Sequence, residues 1–227
     1  MVDYNTVKTF IETSLLLWKR KIENISITDI AQCLRKTYYE YIYGISLSSN
    51  LSMLISMSEG IGVHKIISDC INVNMQDKCK SEVYLEMNLD KFKLTGRIDA
   101  VCRINDELVI LEFKTTRIKI DKKFVKTYNI HYIRQVKYYM CLWNMLNEEK
   151  ISKGYLIYFT PTYMYAYEVN YNENDCKEMI ERASKLWKCL KFEIIPEYEV
   201  SKYCEICYFR YKCFNREITE YLAQSPL

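Results

Sequence analysis

The spacing of apolar and polar positions divides the chain into helical and extended segments. Apolar residues recur at helical spacing in five segments, at residues 4–22, 26–44, 52–72, 128–147 and 173–190. Apolar and polar residues alternate in part, as in strands, at residues 81–89, 91–104 and 107–116 and in a hairpin over 154–169 with Pro161 in its turn. Helices therefore precede a cluster of strands, and a helix, a hairpin and a helix follow. This order predicts an α/β fold around a central mixed β-sheet.

Composition limits the class of protein. The 227 residues are 49% hydrophobic and include only 5 Gly and 3 Pro, which predicts one compact unit with short loops. A net charge of +3 rules out a strongly basic chain and leaves room only for a local basic patch. The first apolar run, residues 15–18, is too short for a signal peptide or a membrane helix. We therefore expect an intracellular, cytoplasmic protein with no membrane contact.

The ten cysteines point to a reducing compartment and to metal binding. Six of them lie in apolar or mixed stretches and are expected to be unlinked core residues: Cys70, Cys79, Cys102, Cys141, Cys176 and Cys189. Three others, Cys204, Cys207 and Cys213, follow one another with spacings of two and five residues. Such spacing suits a soft metal, but a four-coordinate site needs a fourth ligand from elsewhere.

Three charged residues interrupt the apolar strands: Asp99, Glu112 and Lys114. If residues 105–106 form a two-residue turn, paired positions sum to 211 and Asp99 stands opposite Glu112, with Cβ atoms about 4.5–5.5 Å apart. Two carboxylates so close favour a divalent ion such as Mg²⁺ or Mn²⁺ between them. The alternative is a buried Glu112–Lys114 pair balanced by Asp99 in an ordinary sheet.

The segments GRIDAV and LEFKTT resemble the D…E-x-K core of the PD-(D/E)xK nuclease superfamily, in its RecB-like branch. Gln135 and Tyr139 match the Q-x-x-x-Y helix of that branch, and the segment Gly60–His64 matches its G-x-x-x-H element. One cysteine upstream of this core, Cys33, and three in the tail resemble the CRISPR-associated exonuclease family called Cas-four. The resemblance implies a restriction-endonuclease-like fold.

The resemblance also implies a domain layout and an iron–sulfur cluster. It implies a single nuclease domain over residues 1–227, with a core at about 52–190 and an iron–sulfur lobe from about 25–45 and 200–216. The cluster would be [4Fe–4S], with [2Fe–2S] or zinc as alternatives. Its ligands would be Cys33, Cys204, Cys207 and Cys213.

The implied activity is a DNA exonuclease acting on single-stranded ends. Mn²⁺ or Mg²⁺ would be bound by His64, Asp99, Glu112 and the backbone carbonyl of Phe113. Lys114 would activate the attacking water, and Gln135 and Tyr139 would position the strand or Lys114. No G-x-x-x-x-G-K-[ST] loop occurs in the sequence, so we expect ends that are already unpaired.

Several alternatives stay open. CRISPR adaptation proteins or a helicase are the implied partners, and homo-oligomerisation is undecided. The chain could instead be a non-catalytic DNA-binding or CRISPR-adaptation subunit, or a structure-specific endonuclease. Tyr38 and Tyr39, beside Arg35 and Lys36, are expected either to stack on bases or to pack around the cluster.

Overall fold

A computed structural model describes residues 3–8, 24–44 and 51–214. Residues 4–8 are helical, and the remainder of the helix predicted over 4–22 lies outside the described residues. Six strands form one mixed sheet: β1 (Asn24–Ser26), β2 (Cys79–Leu89), β3 (Phe92–Ile104), β4 (Glu107–Thr115), β5 (Lys153–Phe159) and β6 (Met164–Asn170). The predicted central mixed β-sheet is thereby confirmed.

The long strand β3 organises the sheet. Strand β2 pairs antiparallel with β3 along almost its whole length. Strand β1 pairs in parallel with residues 93–95 of β3, and β4 pairs antiparallel with residues 100–104. Because β2 occupies one edge of β3, β1 and β4 share the other edge. Strands β5 and β6 then extend the sheet, with β5 parallel to β4 and β6 antiparallel to β5.

The helices are α1 (Ile27–Ala31), α2 (Leu34–Tyr43), α3 (Leu51–Asn74), α4 (Lys122–Tyr128), α5 (Ile130–Leu146), α6 (Glu173–Lys191), a 3₁₀ helix (Lys202–Ile206) and α7 (Arg210–Cys213). None of these described helices is long and apolar enough to cross a bilayer. Most predicted elements are found near their predicted bounds.

The single helix predicted over residues 26–44 is wrong, since it is divided at Gln32 and Cys33. Ser26 and Asp29 form a capping box that starts α1, and the backbone is extended at Gln32. The guanidinium of Arg182 in α6 donates to the carbonyl oxygens of Ile30 and Gln32 at 2.7 and 2.6 Å. These bonds satisfy acceptors that a continuous helix would have used itself.

Each face of the sheet is covered by helices. On one face, buried residues of α1, α5 and α6 pack with Leu94, Ile98 and Ile110 of the strands. On the other face, Ile67 and Ile71 of α3 pack against Ala100 and Phe113. Helix α1 precedes residues 52–190, the segment expected to form the nuclease core, yet it contributes directly to the main hydrophobic cluster.

Four of the six cysteines expected to be unlinked form disulfides, so that expectation is wrong for them. Cys79 and Cys102 are opposite partners in the β2–β3 ladder and are joined, and Cys141 of α5 is joined to Cys176 of α6. Adjacent strands and packed helices bring these pairs within disulfide reach. Both pairs lie outside the four cysteines expected to bind the cluster, all of which are free thiols.

Candidate active site and cysteine cavity

A tight turn fixes the register of the strands that carry the charged residues. Asn105 and Asp106 both adopt positive φ angles, 49° and 64°, as a type I′ turn requires. Ile104 pairs with Glu107, and the pairing continues to Ala100 opposite Leu111. The predicted register, in which paired positions sum to 211, is confirmed over these five pairs.

Asp99 lies where β3 and β4 separate. The β3–β4 ladder ends at Ala100, one residue before Asp99 would meet Glu112. The β2–β3 ladder also skips Asp99 and its counterpart Glu82, which has a positive φ of 51°. The Asp99 carboxylate accepts the backbone N–H of Phe113 through Oδ2 at 2.7 Å. A side chain therefore replaces the missing ladder bond and holds the carboxylate between the two strands.

Glu112 and Lys114 share one face of β4, as their spacing predicts. The Nζ of Lys114 donates to Oε1 of Glu112 at 2.6 Å, so the ion pair of the alternative interpretation does form. Glu112 is only 2% exposed, and its other oxygen, Oε2, is buried without a hydrogen-bond partner. Burial, with a smaller contribution from Asp99, raises the pKa of Glu112 to about 7 despite the Lys114 charge.

His64 reaches this site from α3. Its Nδ1 lies 3.4 Å from Oδ1 of Asp99, and the hydrogen bond to Asp99 raises the histidine pKa. The helix approaches β4 closely at Gly60, where an added Cβ would lie 3.3 Å from Oγ1 of Thr115. The Gly60–His64 spacing thus places a small residue where the helix touches the sheet and a histidine one turn later, beside Asp99.

The expected metal ligands are neighbours, but they do not converge on one point. Among the described residues, no three His, Cys, Asp or Glu side chains are placed to hold one metal ion. Asp99 is engaged with Phe113 and His64, whereas one oxygen of Glu112 is engaged with Lys114. The unpartnered Oε2 of Glu112 is nevertheless a buried anionic oxygen that a hard divalent cation would satisfy. The donor set fits such an ion.

Gln135 and Tyr139 lie together on α5, as their spacing predicts, but both are buried. The Nε2 of Gln135 donates to the Tyr139 hydroxyl at 3.1 Å and to Oγ1 of Thr28 at 3.3 Å. Tyr139 also contacts β3 closely, because a Cβ on Gly96 would lie 3.0 Å from its ring. Burial, and secondarily the Glu112 charge, raises the tyrosine pKa. The two side chains are therefore buried on the α5 side of Glu112 and are not exposed to solvent.

The four cysteines expected to bind a cluster line one cavity: Cys33, Cys204, Cys207 and Cys213. Cys33 is the N-cap of α2, where burial raises its pKa and the backbone N–H of Lys36 opposes that effect. Burial also raises the pKa of Cys207, and that of Cys213 to about 11, with neighbouring cysteines adding to both. Four free thiols thus share one cavity, although among the described residues no three of them are placed to hold one ion. Cysteine thiolates are the usual ligands of iron–sulfur clusters.

An ion-pair network that the sequence did not reveal fastens the tail beside Cys33. Glu199 accepts the Leu34 backbone N–H at 2.9 Å and the guanidinium of Arg182 at 2.9 and 3.2 Å. The same guanidinium binds the carbonyls before Cys33, as described above. In sequence, Arg182 is one more charged residue of an amphipathic helix, and no local pattern distinguishes it. Contacts across 150 and 152 positions give it this role.

The aromatic pair Tyr38 and Tyr39 packs inside the protein. Both are buried, which supports the packing alternative and excludes base stacking by these rings. Arg35 instead lies over the Tyr198 ring at 3.6 Å, and Lys36 pairs with Glu40 at 2.5 Å. These four residues of α2 therefore pack in the cysteine lobe, the region formed by α2 and residues 198–214 around the four-cysteine cavity.

Comparisons with known proteins agree with this geometry. A profile of the PD-(D/E)XK nuclease superfamily matches residues 73–214, a range that contains Asp99, Glu112 and Lys114. The CRISPR-associated exonuclease Cas4 of Saccharolobus solfataricus is 28% identical over 172 residues, covering 70% of this chain and 78% of that protein.

Two solved structures share the fold. The crystal structure of SSO0001 aligns with a TM-score of 0.58 and 24% identity, covering 94% of this chain and 96% of that one. The crystal structure of LHK-Exo in complex with dAMP, an alkaline exonuclease from Laribacter hongkongensis, aligns with a TM-score of 0.51 and 11% identity, covering 75% and 89%.

Proposed function

Since the chain belongs to the PD-(D/E)XK nuclease superfamily, we propose that it is a Mn²⁺- or Mg²⁺-dependent exonuclease that degrades single-stranded DNA from its ends. The observation that carries the proposal is the buried Glu112 carboxylate, with one oxygen paired to Lys114 and the other without a partner. An ordinary structural ion pair gains nothing from an unsatisfied buried oxygen, which costs free energy. A nuclease, by contrast, needs such an oxygen for its metal.

His64, Asp99, Glu112 and the backbone carbonyl of Phe113 would hold the divalent ion. When bound, that ion lowers the pKa of a water molecule and polarises the scissile phosphate. The bond from the Phe113 N–H keeps the Asp99 carboxylate at the opening between β3 and β4. His64, bonded to Asp99, limits its rotation.

Lys114 would supply a positive charge beside the metal site. Burial lowers the pKa of Lys114, but the charge of Glu112, Tyr132, the hydrogen bond to Glu112 and Asp99 together raise that pKa above its ordinary value. The ammonium group is therefore protonated at neutral pH and can orient the attacking water and steady the phosphate oxygens. Gln135 and Tyr139, buried behind it, act by positioning rather than by touching the substrate.

Cys33, Cys204, Cys207 and Cys213 would hold a [4Fe–4S] cluster with a structural role. Their shared cavity supports this assignment, as does the network of Arg182 and Glu199 that brings the tail to Cys33. The cluster would join α2 to the end of the chain and rigidify the lobe that borders the active site. The 28% identity to a CRISPR-associated exonuclease favours partners in CRISPR adaptation.

The decisive experiment is a time course with Mn²⁺ on end-labelled linear single strands, circular single strands and blunt duplexes. Progressive loss from an end, with circles spared, supports the exonuclease. Blunt duplex should be cut more slowly because unpairing costs about 1.4 kcal/mol per base-pair step. EDTA should abolish cleavage, and Ca²⁺ should not restore it because its looser coordination orients water poorly.

Two other outcomes would redirect the assignment. Rapid cutting of circles or of branched duplexes would identify a structure-specific endonuclease. The absence of cutting on every substrate, in a protein that holds its cluster and binds DNA, would instead identify a non-catalytic complex subunit.

A further inference from the structure

A second cavity lies between the catalytic face and the cysteine lobe. It is bordered by the end of α4, the start of α5, Cys33 and the 3₁₀ helix of the tail. Two tyrosines on its rim, Tyr128 and Tyr203, are each 38% exposed. Exposed rings at the edge of a cavity can accept a stacked base, which the buried Tyr38 and Tyr39 cannot.

A continuous row of aromatic rings links this cavity to the catalytic lysine. The Nζ of Lys114 lies over the Tyr132 ring, 4.5 Å from its centroid. The Tyr132 and His131 centroids are 4.0 Å apart, and those of His131 and Tyr203 are 5.2 Å apart. The cavity is therefore the immediate neighbour of the reaction centre along α5, and not a remote surface feature.

The cavity also offers one unneutralised cation. Lys36, Arg134 and Lys202 line it. Lys36 is paired with Glu40, and Arg134 is paired with Glu178 and, at 4.0 Å, with Glu199. Lys202 forms no ion pair with any described residue, and its Nζ lies 5.6 Å from the Tyr128 ring centroid. A lysine next to an exposed ring, with no carboxylate to neutralise it, can meet a phosphate while the ring meets the attached base.

We propose that this cavity binds one unpaired nucleotide of the DNA strand, with its base against Tyr128 and Tyr203 and its phosphate against Lys202. The assignment rests on the proposed nuclease function and extends it, because it locates selection for single strands. A base inside a duplex is stacked on its neighbours and paired, so it cannot lie against these rings. The site rejects an intact duplex by requiring a base that is free to turn away from the stack.

The test uses two double variants that differ only in location. Lys202→Ala combined with Tyr128→Ala removes the cation and ring at the cavity. Lys212→Ala combined with Tyr43→Ala removes a matched pair elsewhere on the same lobe, where the lysine lies 3.9 Å from the ring centroid. Binding of a fluorescein-labelled oligothymidylate is measured by anisotropy in EDTA, beside a duplex of equal length, after thermal unfolding shows that each variant is folded.

We expect the cavity variant to bind the single strand about tenfold more weakly, with the salt dependence of its affinity reduced by about one counterion. The matched variant should bind as the wild type does, and duplex affinity should not change. Equal losses in both variants, an equal loss for duplex, or no loss in the cavity variant would overturn the proposal.

Photocrosslinking gives an independent readout. An oligonucleotide carrying iododeoxyuridine should attach to peptides containing Tyr128 or Tyr203, and crosslinks found only elsewhere would overturn the proposal. Failure of the nuclease assignment would look different. A wild-type protein that binds and crosslinks the single strand but does not cut it in Mn²⁺ would refute the catalytic function and leave the nucleotide site in place.

Discussion

At the scale of the residue, Glu112 is the side chain on which the proposed metal site most depends. It is buried, and only one of its two carboxylate oxygens accepts a hydrogen bond, from Lys114. Its pKa is raised to about 7 because burial makes the charged carboxylate unfavourable. Bound metal would offset that cost, so metal affinity and folding stability should be linked at this residue.

Mn²⁺ should therefore stabilise the wild-type protein. At a free concentration about a hundredfold above Kd, the gain is about 2.7 kcal/mol, which for a chain of this size raises Tm by about 5–10 °C. Glu112→Gln should remove most of this shift, although its amide oxygen can still accept from Lys114. Differential scanning fluorimetry in EDTA and in Mn²⁺ measures the effect, and an undiminished shift in the variant would show that the metal binds elsewhere.

Asp99 should show two separable roles. Asp99→Asn keeps an acceptor for the Phe113 N–H, so we expect near-native stability but no Mn²⁺-dependent cleavage. Asp99→Ala should lose cleavage and about 1–3 kcal/mol of unfolding free energy as well, because it leaves that N–H unsatisfied. Chemical denaturation beside a cleavage assay distinguishes the roles. Normal turnover in the Asn variant would remove Asp99 from the metal site.

His131 should make stability fall on mild acidification. Burial, followed by the charges of Lys114, Lys36 and Arg134, lowers its pKa to about 4, below its ordinary value of 6.5. Between these values the unfolded chain binds more protons than the folded one, so the free energy of unfolding decreases as pH falls. Between about pH 7.5 and pH 5, His131 alone contributes a loss of about 2 kcal/mol. The raised pKa of Glu112 opposes this loss equally in both proteins, so His131→Gln should be more stable than the wild type at pH 5 relative to pH 7.5. Equal pH profiles for the two proteins would refute the prediction.

At the scale of the element, the sequence predicted the features that neighbouring residues determine and missed those that depend on residues far apart in the chain. The register of β3 and β4 followed from a two-residue turn, and the shared face of Gln135 and Tyr139 followed from helical spacing. The division between α1 and α2 did not, because the carbonyl groups at that point bond to Arg182, which lies 150 and 152 positions away. Nor did the end of the β3–β4 ladder, which results from a side chain taking the place of a backbone acceptor at Asp99.

The helix α2 and the tail provide the test of the cluster. Cys204→Ser should lose iron, sulfide and visible absorbance, because one of four thiolates is removed from the shared cavity. Cys70→Ser is the matched control, since Cys70 is also a free thiol but is exposed on α3. Iron loss in the control, or stoichiometric zinc without sulfide in the wild type, would contradict the assignment.

At the scale of the whole molecule, the segment before α2 belongs to the core. Ile25, Ile27 and Ile30 are fully buried in the cluster that includes Ile98 of β3. Burial of each contributes about 1.5–3 kcal/mol, so together they approach the net stability of a typical domain. A sequence pattern could not reveal this, since β1 is three residues long and pairs with a strand some 70 positions later.

Ile27→Ala should accordingly lower the free energy of unfolding by about 2–5 kcal/mol. Ile66→Ala, the same substitution at a 64% exposed position of α3, should change it by no more than about 0.5 kcal/mol. Denaturant melts of both variants measure the difference. Equal, small effects would place residues 24–31 outside the folded core.

The length of the turn at Asn105 and Asp106 limits which mutations leave the active site intact. Side chains along a strand alternate between faces, so one extra codon in the turn would shift β4 by a single position against β3. Glu112 and Lys114 would then exchange faces with Leu111 and Phe113, and one carboxylate and one ammonium group would enter the apolar layer beneath α3. A substitution at either turn residue leaves the register of β4 against β3 unchanged. An insertion instead moves Glu112 and Lys114 to the other face of the sheet together. We therefore expect the length of this turn to vary less among related sequences than the identity of its two residues does.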